Sequence, residues 1–564
     1  MVFMAPPRGY RRILFWVLIA LVPAIGLVWF VIDQRSRVIE TLLRDWASRQ
    51  VASATDSTYQ LAVSGVDLSV LSGRIIIDSI RLVTDTSRND FRAEPLPVLT
   101  ASAVGCGVRG VDVWGLLLGR GVNARLFRCE GISGTVLEVV RPQVPVRPAA
   151  ETSKPVLPLV SDSIHLPALL PIIVIRNTEL PNISLDYTRR GTDSAESHVT
   201  LERLGLVLRE TRIDPAVPPK ARRPLFSRQA LLSATALEMG NEERSVLLGQ
   251  VRANLTDSTL AIDSFVVGPT MPDAEWVKAQ KQRKDLIRLE LDSARFRGVD
   301  YRRLGSVEGG VVAKRVELFD LRVHVTSYKD LPPGPRRKRR TPQQFIAALE
   351  RPLGIDTVLV TGGRIAYTEH PAGKPTAGTM TWEKVHAEIV GVKSGAPTGV
   401  LPAPMVIRAS ALLLGQGKLE TTVEIPLAAS RFDMKYSGSL GPMDLTAINA
   451  FAEPVMSAKI SSGSLQGVRF SVVVRNGRSV GQVTPLYRDF KLQLTDKDAN
   501  FIKKAGLAIV SLFANTFKVR GSNPGEPDEA PVVGRINRRY DPTNSLPQVF
   551  WFALREGLGK VFVK

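Results

Sequence analysis

The sequence predicts a mainly β protein: one N-terminal transmembrane helix, then repeated antiparallel β modules, then a few C-terminal amphipathic helices. Three observations predict it. Residues 13–32 are apolar and uncharged, a period-two alternation dominates beyond residue 60, and one order of segments recurs further down the chain.

The stretch ILFWVLIALVPAIGLVWFVI over residues 13–32 matches the ~20 residues that a helix needs to cross the hydrocarbon core. Pro23 and Gly26 interrupt it, yet a bilayer tolerates both where neighbouring groups satisfy the freed carbonyl. A cleaved signal would have an apolar region of ~7–15 residues and a small-x-small site. This run ends instead in Trp29-Phe30-Val31-Ile32-Asp33, which favours a retained anchor. Arg8, Arg11 and Arg12 precede the span, while Arg35 and Arg37 follow beside Asp33 and Glu40. The balance of positive charge puts the N-terminus in the cytoplasm and the bulk of the chain on the far side. Residues 36–60 place Val38, Ile39, Leu42, Leu43 and Trp46 at helical spacing, as a stalk would.

At 564 residues the chain exceeds what one core normally serves, so more than one unit is expected. The net charge of +20 favours an anionic partner. Aromatics are only 6% and no nucleic-acid module is evident, so lipid head groups are the expected partner and nucleic acid is not. Two cysteines, Cys106 and Cys129, exclude a disulfide framework or a multi-cysteine metal cluster. They either pair once, if exported, or stay as two buried thiols.

Four segments show the strand period well. Phe319, Leu321, Val323 and Val325 alternate with Asp320, Arg322, His324 and Thr326, and Val468, Phe470, Val472 and Val474 with Arg469, Ser471, Val473 and Arg475. Phe432, Met434 and Tyr436 alternate with Arg431, Asp433 and Lys435, and Leu419, Thr421, Val423 and Ile425 with Glu420, Thr422 and Glu424. Ser72-Gly73, Gly309-Gly310, Gly362-Gly363 and Asn476-Gly477 read as hairpin turns, which need positive φ. An antiparallel meander follows.

Arg109-Gly110-Val111-Asp112 recurs as Arg297-Gly298-Val299-Asp300. A proline-rich interruption follows each copy, at 142–171 and at 331–342, and then a similar strand block, at 172–188 and at 355–369. The implied organisation is 1–35 cytoplasmic N-terminus and anchor, 36–60 stalk, 61–240 and 241–400 two diverged β modules, and 401–564 a third with helices. One helical stripe joins Ile502, Ala505, Ile509, Leu512 and Phe513, and another joins Phe550, Leu554, Leu558 and Val561 after Pro547. The second either lies on a membrane interface, beside Trp551 and Phe552, or caps the last strands.

The usual signatures of catalysis are missing. Gly105-Cys106-Gly107-Val108-Arg109-Gly110 fits the dinucleotide pattern, but the VDVWGLLLGRGV that follows reads as strand and turn rather than the required helix. His165, His198, His324, His370 and His386 are scattered without metal spacing, and neither a nucleophile elbow nor a Walker loop occurs. No enzyme activity, cofactor or metal is expected, although a hydrolase with a non-local site stays open. Arg336-Arg337-Lys338-Arg339-Arg340 reads as a solvated loop facing anionic head groups.

Several stretches resemble the AsmA-like bacterial envelope family, relatives of the chorein-type bridge-like lipid-transfer proteins. They are the anchor, LSGRIIIDSIRLVTD (71–85), GVDVWGLLLGRGVNARLFRCEGISGTVLEV (110–139), GGRIAYTEHPAGKP (362–375) and GSLQGVRFSVVVRNGRSVGQVTPLYRDFKLQL (463–494). The resemblance implies an elongated, curved, groove-like sheet, a periplasmic body on a single-pass inner-membrane anchor, and phospholipid or another acyl lipid as ligand. Its expected function is lipid binding or transfer that supports lipid homeostasis of the outer envelope. The groove candidates are Phe319, Leu321, Val323, Val325, Phe432, Met434, Tyr436, Phe470, Val472 and Val474, each set placed on one face by alternation. The alternative is a non-catalytic scaffold or assembly factor for outer-membrane proteins, with envelope proteins as partners.

Overall fold

A computed structural model describes residues 45, 48–49, 51–52, 55, 57–69, 72–87, 97–139, 171–190, 196–218, 221–240, 243–304, 310–349, 352–394, 403–429, 431–494 and 519–562. The expected span at 13–32, most of the stalk, nearly all of the 142–171 insertion and the helix at 502–513 lie outside them. Among the described residues no helix is long and apolar enough to cross a membrane. The described residues are mainly β and fall in two compact units, one up to Thr235 and one from Ala236 onward.

In the first unit β1 (Tyr59–Ser69), β2 (Arg74–Thr84) and β3 (Val98–Arg109) form an antiparallel meander. The one-turn helix α1 (Val113–Leu117) leads into β4 (Val122–Arg128) and β5 (Gly131–Val139), both of which pair with β3. Both also pair in parallel with β6 (Ile173–Arg190), whose other edge takes β7 (Glu196–Ile213) antiparallel, before β8 (Ser227–Gly240).

The second unit repeats this scheme. Its β9 (Arg244–Asn254), β10 (Thr259–Pro269) and β11 (Leu286–Arg297) form a meander, with helix α2 (Asp273–Ala279) between the last two. The one-turn helix α3 (Tyr301–Leu304) then precedes β12 (Val311–Phe319) and β13 (Arg322–Tyr328), which both pair with β11. After α4 (Pro342–Ala347), β14 (Leu353–His370) runs parallel to both, and β15 (Gly378–Lys393) pairs with it antiparallel.

The repeated tetrapeptide does the same work in both copies. Gly110 and Gly298 turn the chain at φ +66° and +67°, a conformation in which a side chain is strained. Val111 and Val299 are buried, and their N–H groups donate to Gly73 O and Ser258 O. Asp112 and Asp300 donate backbone N–H to Asn123 O and Val312 O. Their carboxylates accept from Gly115 N and Arg303 N at 3.0 and 3.2 Å, which caps the short helix.

Three expectations are corrected here. The sheet is mixed rather than antiparallel, because β4, β5, β12 and β13 each run parallel to their later neighbour. A parallel neighbour needs a long crossover, and the proline-rich interruptions at 142–171 and 331–342 are those connections. Gly362-Gly363 is no hairpin turn; β14 passes through it with register shifts on both sides. A one-turn helix also opens after Gly110, yet Gly105 and Gly107 lie inside β3, so no strand-to-helix phosphate turn exists.

Gly362 belongs to a crease crossing the strands. Pairing skips Gly65 opposite Asp78 and Asp78 opposite Gly105 in the first unit. In the second unit it skips Gly249 opposite Ser264 and Ser264 opposite Asp292, and breaks again at Asp320 beside Gly362. Positive φ at Gly65, Gly105, Ser264, Asp320 and Gly362 bends these strands. A polar side chain covers a glycine on the adjoining strand each time: Asp78 over Gly65, Glu130 over Gly105, Ser264 over Gly249 and Asp320 over Gly362.

The remaining strands are β16 (Met405–Leu413), β17 (Gly417–Ile425), β18 (Met434–Leu440) and β19 (Met443–Asp444), then, after α5 (Asn449–Met456), β20 (Ala458–Arg475), β21 (Arg478–Leu494) and β22 (Gly534–Arg539). Their antiparallel order is β15-β16-β17-β18-β20-β21-β22, with β19 also on β20. Asn476-Gly477 turns β20 into β21 with φ +47° and +72°, as the turn chemistry predicts.

Helix α6 (Leu546–Phe562) lies on this last section, with Val549, Ala553, Gly557 and Val561 buried. The cap reading of the final helix therefore holds for its packed face.

Burial raises the phenols of several tyrosines. It pushes Tyr301, whose hydroxyl donates to Thr259 O at 2.6 Å, up to about 12, and Tyr487 also to about 12. Tyr367 and Tyr436 are raised further by the same cause. An unfolded tyrosine ionises near pH ~10, so the folded state holds these protons more tightly. The stability they contribute is complete below that pH and is lost as pH rises through about 12. Alkaline titration followed by phenolate absorbance and circular dichroism should show the late-ionising tyrosines titrating together with loss of β signal. Independent ionisation with the sheet intact would contradict the burial.

Candidate functional site

Directly opposed residues on neighbouring strands share a face, so the pairing registers define rows of side chains running across each unit. In the first unit one such row is Val63, Ile80, Ala103, Ile132, Ile183 and Leu204, on β1, β2, β3, β5, β6 and β7. All six are half-buried, with side-chain surface still open to solvent. Leu61, Leu82, Ala101, Gly134, Leu185 and Leu201 form a second row beside it, equally half-buried.

The second unit carries an equivalent row on β9, β10, β11, β13, β14, β15 and β16: Val246, Val267, Leu289, Val323, Ile365, Trp382 and Leu413. Every one is half-buried. Seven strands at ~4.8 Å spacing extend about 29 Å, close to the ~30 Å of hydrocarbon that two opposed acyl chains fill. Several of the positions on the opposite face are charged, although Leu247 and Val266 are not. Arg322 donates to Glu290 and Asp292 at 3.1 and 2.6 Å, and Asp263 accepts from Arg252 and Arg295 at 2.6 and 2.7 Å. These exposed pairs contribute little stability, but they fix that face as the one for water.

On the far side of the crease a longer row runs Ala253, Leu260, Phe296, Val316, Val358, Ile389, Ile407, Val423, Tyr436 and Val472. Its burial varies along its length, with Ala253 and Val316 at 5% and 4% exposure at one end. Ile389 and Ile407 are half-buried, whereas Val423, Tyr436 and Val472 keep 7%, 1% and 0% of their surface. Helix α6 covers this end, its Phe550 ring 4.4 Å from that of Tyr436.

The sequence candidates therefore separate. Phe432, Met434, Tyr436, Val472 and Val474 sit with Val549 and Ala553 in one protein-filled core, against which Phe470 also packs. The alternation placed them on one face correctly, but a helix remote in sequence occupies that face. Val323 and Val325 lie half-buried on β13, opposite Ile365 and Tyr367. Phe319 ends β12 opposite Ser293, and Leu321 falls between the strands. The run 319–325 is thus not one strand, because Asp320 at φ +53° breaks it.

The first-unit rows were missed because their alternation changes phase at the crease. Apolar positions run Leu61, Val63 and then Val66 in β1, and Ile75, Ile77 and then Ile80, Leu82 in β2. A glycine or aspartate at the phase change, as at Gly65 and Asp78, was the available signal.

Cys106 and Cys129 form a disulfide next to the crease residues Gly105 and Glu130. A concavity of about 580 Å³ lies over β14 to β18, lined among others by His386, Glu388, Arg408, Glu420, Ser437 and Ser439. Arg408 donates to Glu388 there at 3.1 Å, beside the apolar Leu359, Val360, Ala387 and Ala409. Among the described residues no three His, Cys, Asp or Glu side chains gather as a metal ion requires. No protein-family model matches the chain, and no curated protein is similar to it.

Proposed function

We propose that this chain is a non-catalytic, membrane-anchored lipid-binding or lipid-transfer protein of the AsmA-like type, its body in an oxidising compartment such as the periplasm. The observation that carries this reading is the pair of half-open apolar rows, the first backed by a mainly hydroxyl-bearing face and the second by a face with several charged pairs. Single exposed apolar residues are ordinary, whereas contiguous apolar strips mark a binding surface. In each unit an acyl chain lying across the strands would cover that unit's row, through Ile183 in the first and through Val323 in the second, removing apolar surface from water at roughly 25 cal/mol per Å². The Cys106–Cys129 bond supports an exported body, since reducing compartments rarely keep such bonds. The rows on β1 to β7 and β9 to β16 replace the helix-covered set around Tyr436 as the proposed contact.

The test is photo-crosslinking in cells with the full chain. A photoreactive residue at Ile183 or at Val323 should yield lipid adducts by mass spectrometry, and one at Arg322 or Ser133, on the opposite, polar faces, should not. Equal adducts from both faces, or none from the rows, would remove the proposal. The scaffold reading is favoured by the closed core under α6, and protein rather than lipid adducts from the rows would establish it.

A further inference from the structure

We propose that the end of the second unit formed by the 336–340 loop, the Asn476-Gly477 turn and the face of α6 is a docking surface for an anionic phospholipid bilayer. This is independent of whether the apolar rows hold lipid.

The parts meet in one place. Arg339 donates its backbone N–H to Pro542 O at 2.7 Å, which pins the arginine-rich loop beside the turn that follows β22. Tyr540 N donates to Gly477 O at 2.7 Å and brings in the β20–β21 hairpin. Arg336, Arg337, Lys338, Arg339 and Arg340 are all exposed. Arg478 stands directly opposite Arg539 on the paired strands β21 and β22. Like charges so placed repel, so the fold keeps here an arrangement that an external anion would relieve.

The α6 side adds the same sign of charge. Arg538 and Arg555 both lie over the Phe552 ring, 5.4 and 4.8 Å from its centre. Burial and then the neighbouring Arg538 push the Arg555 guanidinium below its usual range. Three carboxylates also stand here: Asp433, which accepts from Asn476 N at 2.6 Å, Glu556, which accepts from Asn537 N at 3.2 Å, and Asp541, which hydrogen bonds from Thr543 first, and Arg336 and Arg538 after them, hold below the usual range.

Charge alone would suit a nucleic acid equally well. The apolar side chains decide for lipid. Trp551 is 44% exposed on α6 next to Phe552, and Phe345 is 56% exposed on α4, five residues beyond Arg340. Exposed tryptophan and phenylalanine beside arginines are the composition of an interfacial membrane contact. Base-stacking platforms instead need successive aromatics along a groove.

The experiment uses the full chain in neutral phosphatidylcholine nanodiscs, so that any apolar N-terminal segment is already satisfied. Fluorescent vesicles of phosphatidylcholine with or without phosphatidylglycerol are then offered as a second membrane. The wild type should capture the phosphatidylglycerol vesicles and not the neutral ones, with a blue shift of Trp fluorescence that Trp551→Ser abolishes. Each basic residue near an anionic surface contributes about fivefold in affinity. Replacing Arg336, Arg337, Lys338, Arg339 and Arg340 by Gln, all on an exposed loop, should therefore weaken capture by about a hundredfold or more. Equal capture of neutral vesicles, full capture by the loop variant, or displacement by duplex DNA with no Trp551 signal would each overturn the proposal.

Discussion

Ala553→Asp should remove more than about 4 kcal/mol of stability, because it places an unpaired carboxylate where no solvent reaches. Ala553 has 0% of its surface exposed, at the centre of the α6 contact with Tyr436, Val472, Val483 and Ile536. No cation in that cluster could answer the charge. The helix also comes unusually near the sheet. A Cβ on Gly557 would fall 2.5 Å from Val483 Cγ1 and 2.9 Å from Ile536 Cγ1, while one on Gly534 would meet the Gly557 carbonyl. Thermal melts of the full chain, with limited trypsin digestion at Arg538 and Arg539, should report a lower transition and early cleavage. Val472→Asp, with 0% exposure, should behave the same way and cannot serve as a groove probe. Tyr436→Phe is the control. Its hydroxyl is buried without a hydrogen-bond partner, so losing it should be neutral or slightly stabilising. An unchanged melt for Ala553→Asp would mean that α6 does not cover these strands.

The second large effect is expected at the disulfide. Cys106 and Cys129 are 23 residues apart and almost fully buried, with 1% and 3% exposure. A bond closing a loop of this length stabilises by about 3 kcal/mol through the unfolded chain. It also ties β3 to the β4–β5 junction beside Gly105 and Glu130, where the crease interrupts the ladder. Cys106→Ser with Cys129→Ser should lower the urea midpoint of the first unit by that amount, leaving the second unit unchanged. Reductant should reproduce the shift in the wild type and do nothing to the double variant. A wild type indifferent to reductant would show that the thiols are not paired.

The resemblances between the two halves were readable because backbone geometry imposes them residue by residue. Gly110 and Gly298 must turn with positive φ, and Asp112 and Asp300 must cap. The strand at 468–474 and the hairpin at Asn476-Gly477 were readable for the same reason. Parallel pairing of β6 and β14 was not, because the proline-rich interruptions say that the chain leaves a strand without saying which edge it rejoins. Nor was the break at Asp320, where a polar residue that alternation assigns to one face instead supplies the bend.

By itself, then, the sequence determined that the chain is strand-rich, that its strands have one oily and one polar face, and that one module occurs twice. Each is written in local spacing and turn chemistry. Only the tertiary structure decided which oily faces stay open. Alternation records that Tyr436 and Val323 avoid water, but not that α6, more than a hundred residues from Tyr436, supplies Phe550 and Ala553 to bury it. Among the described residues, Val323 and the rest of its row stay half-buried. Burial depends on contacts distant in sequence, and these exist only once the chain has folded.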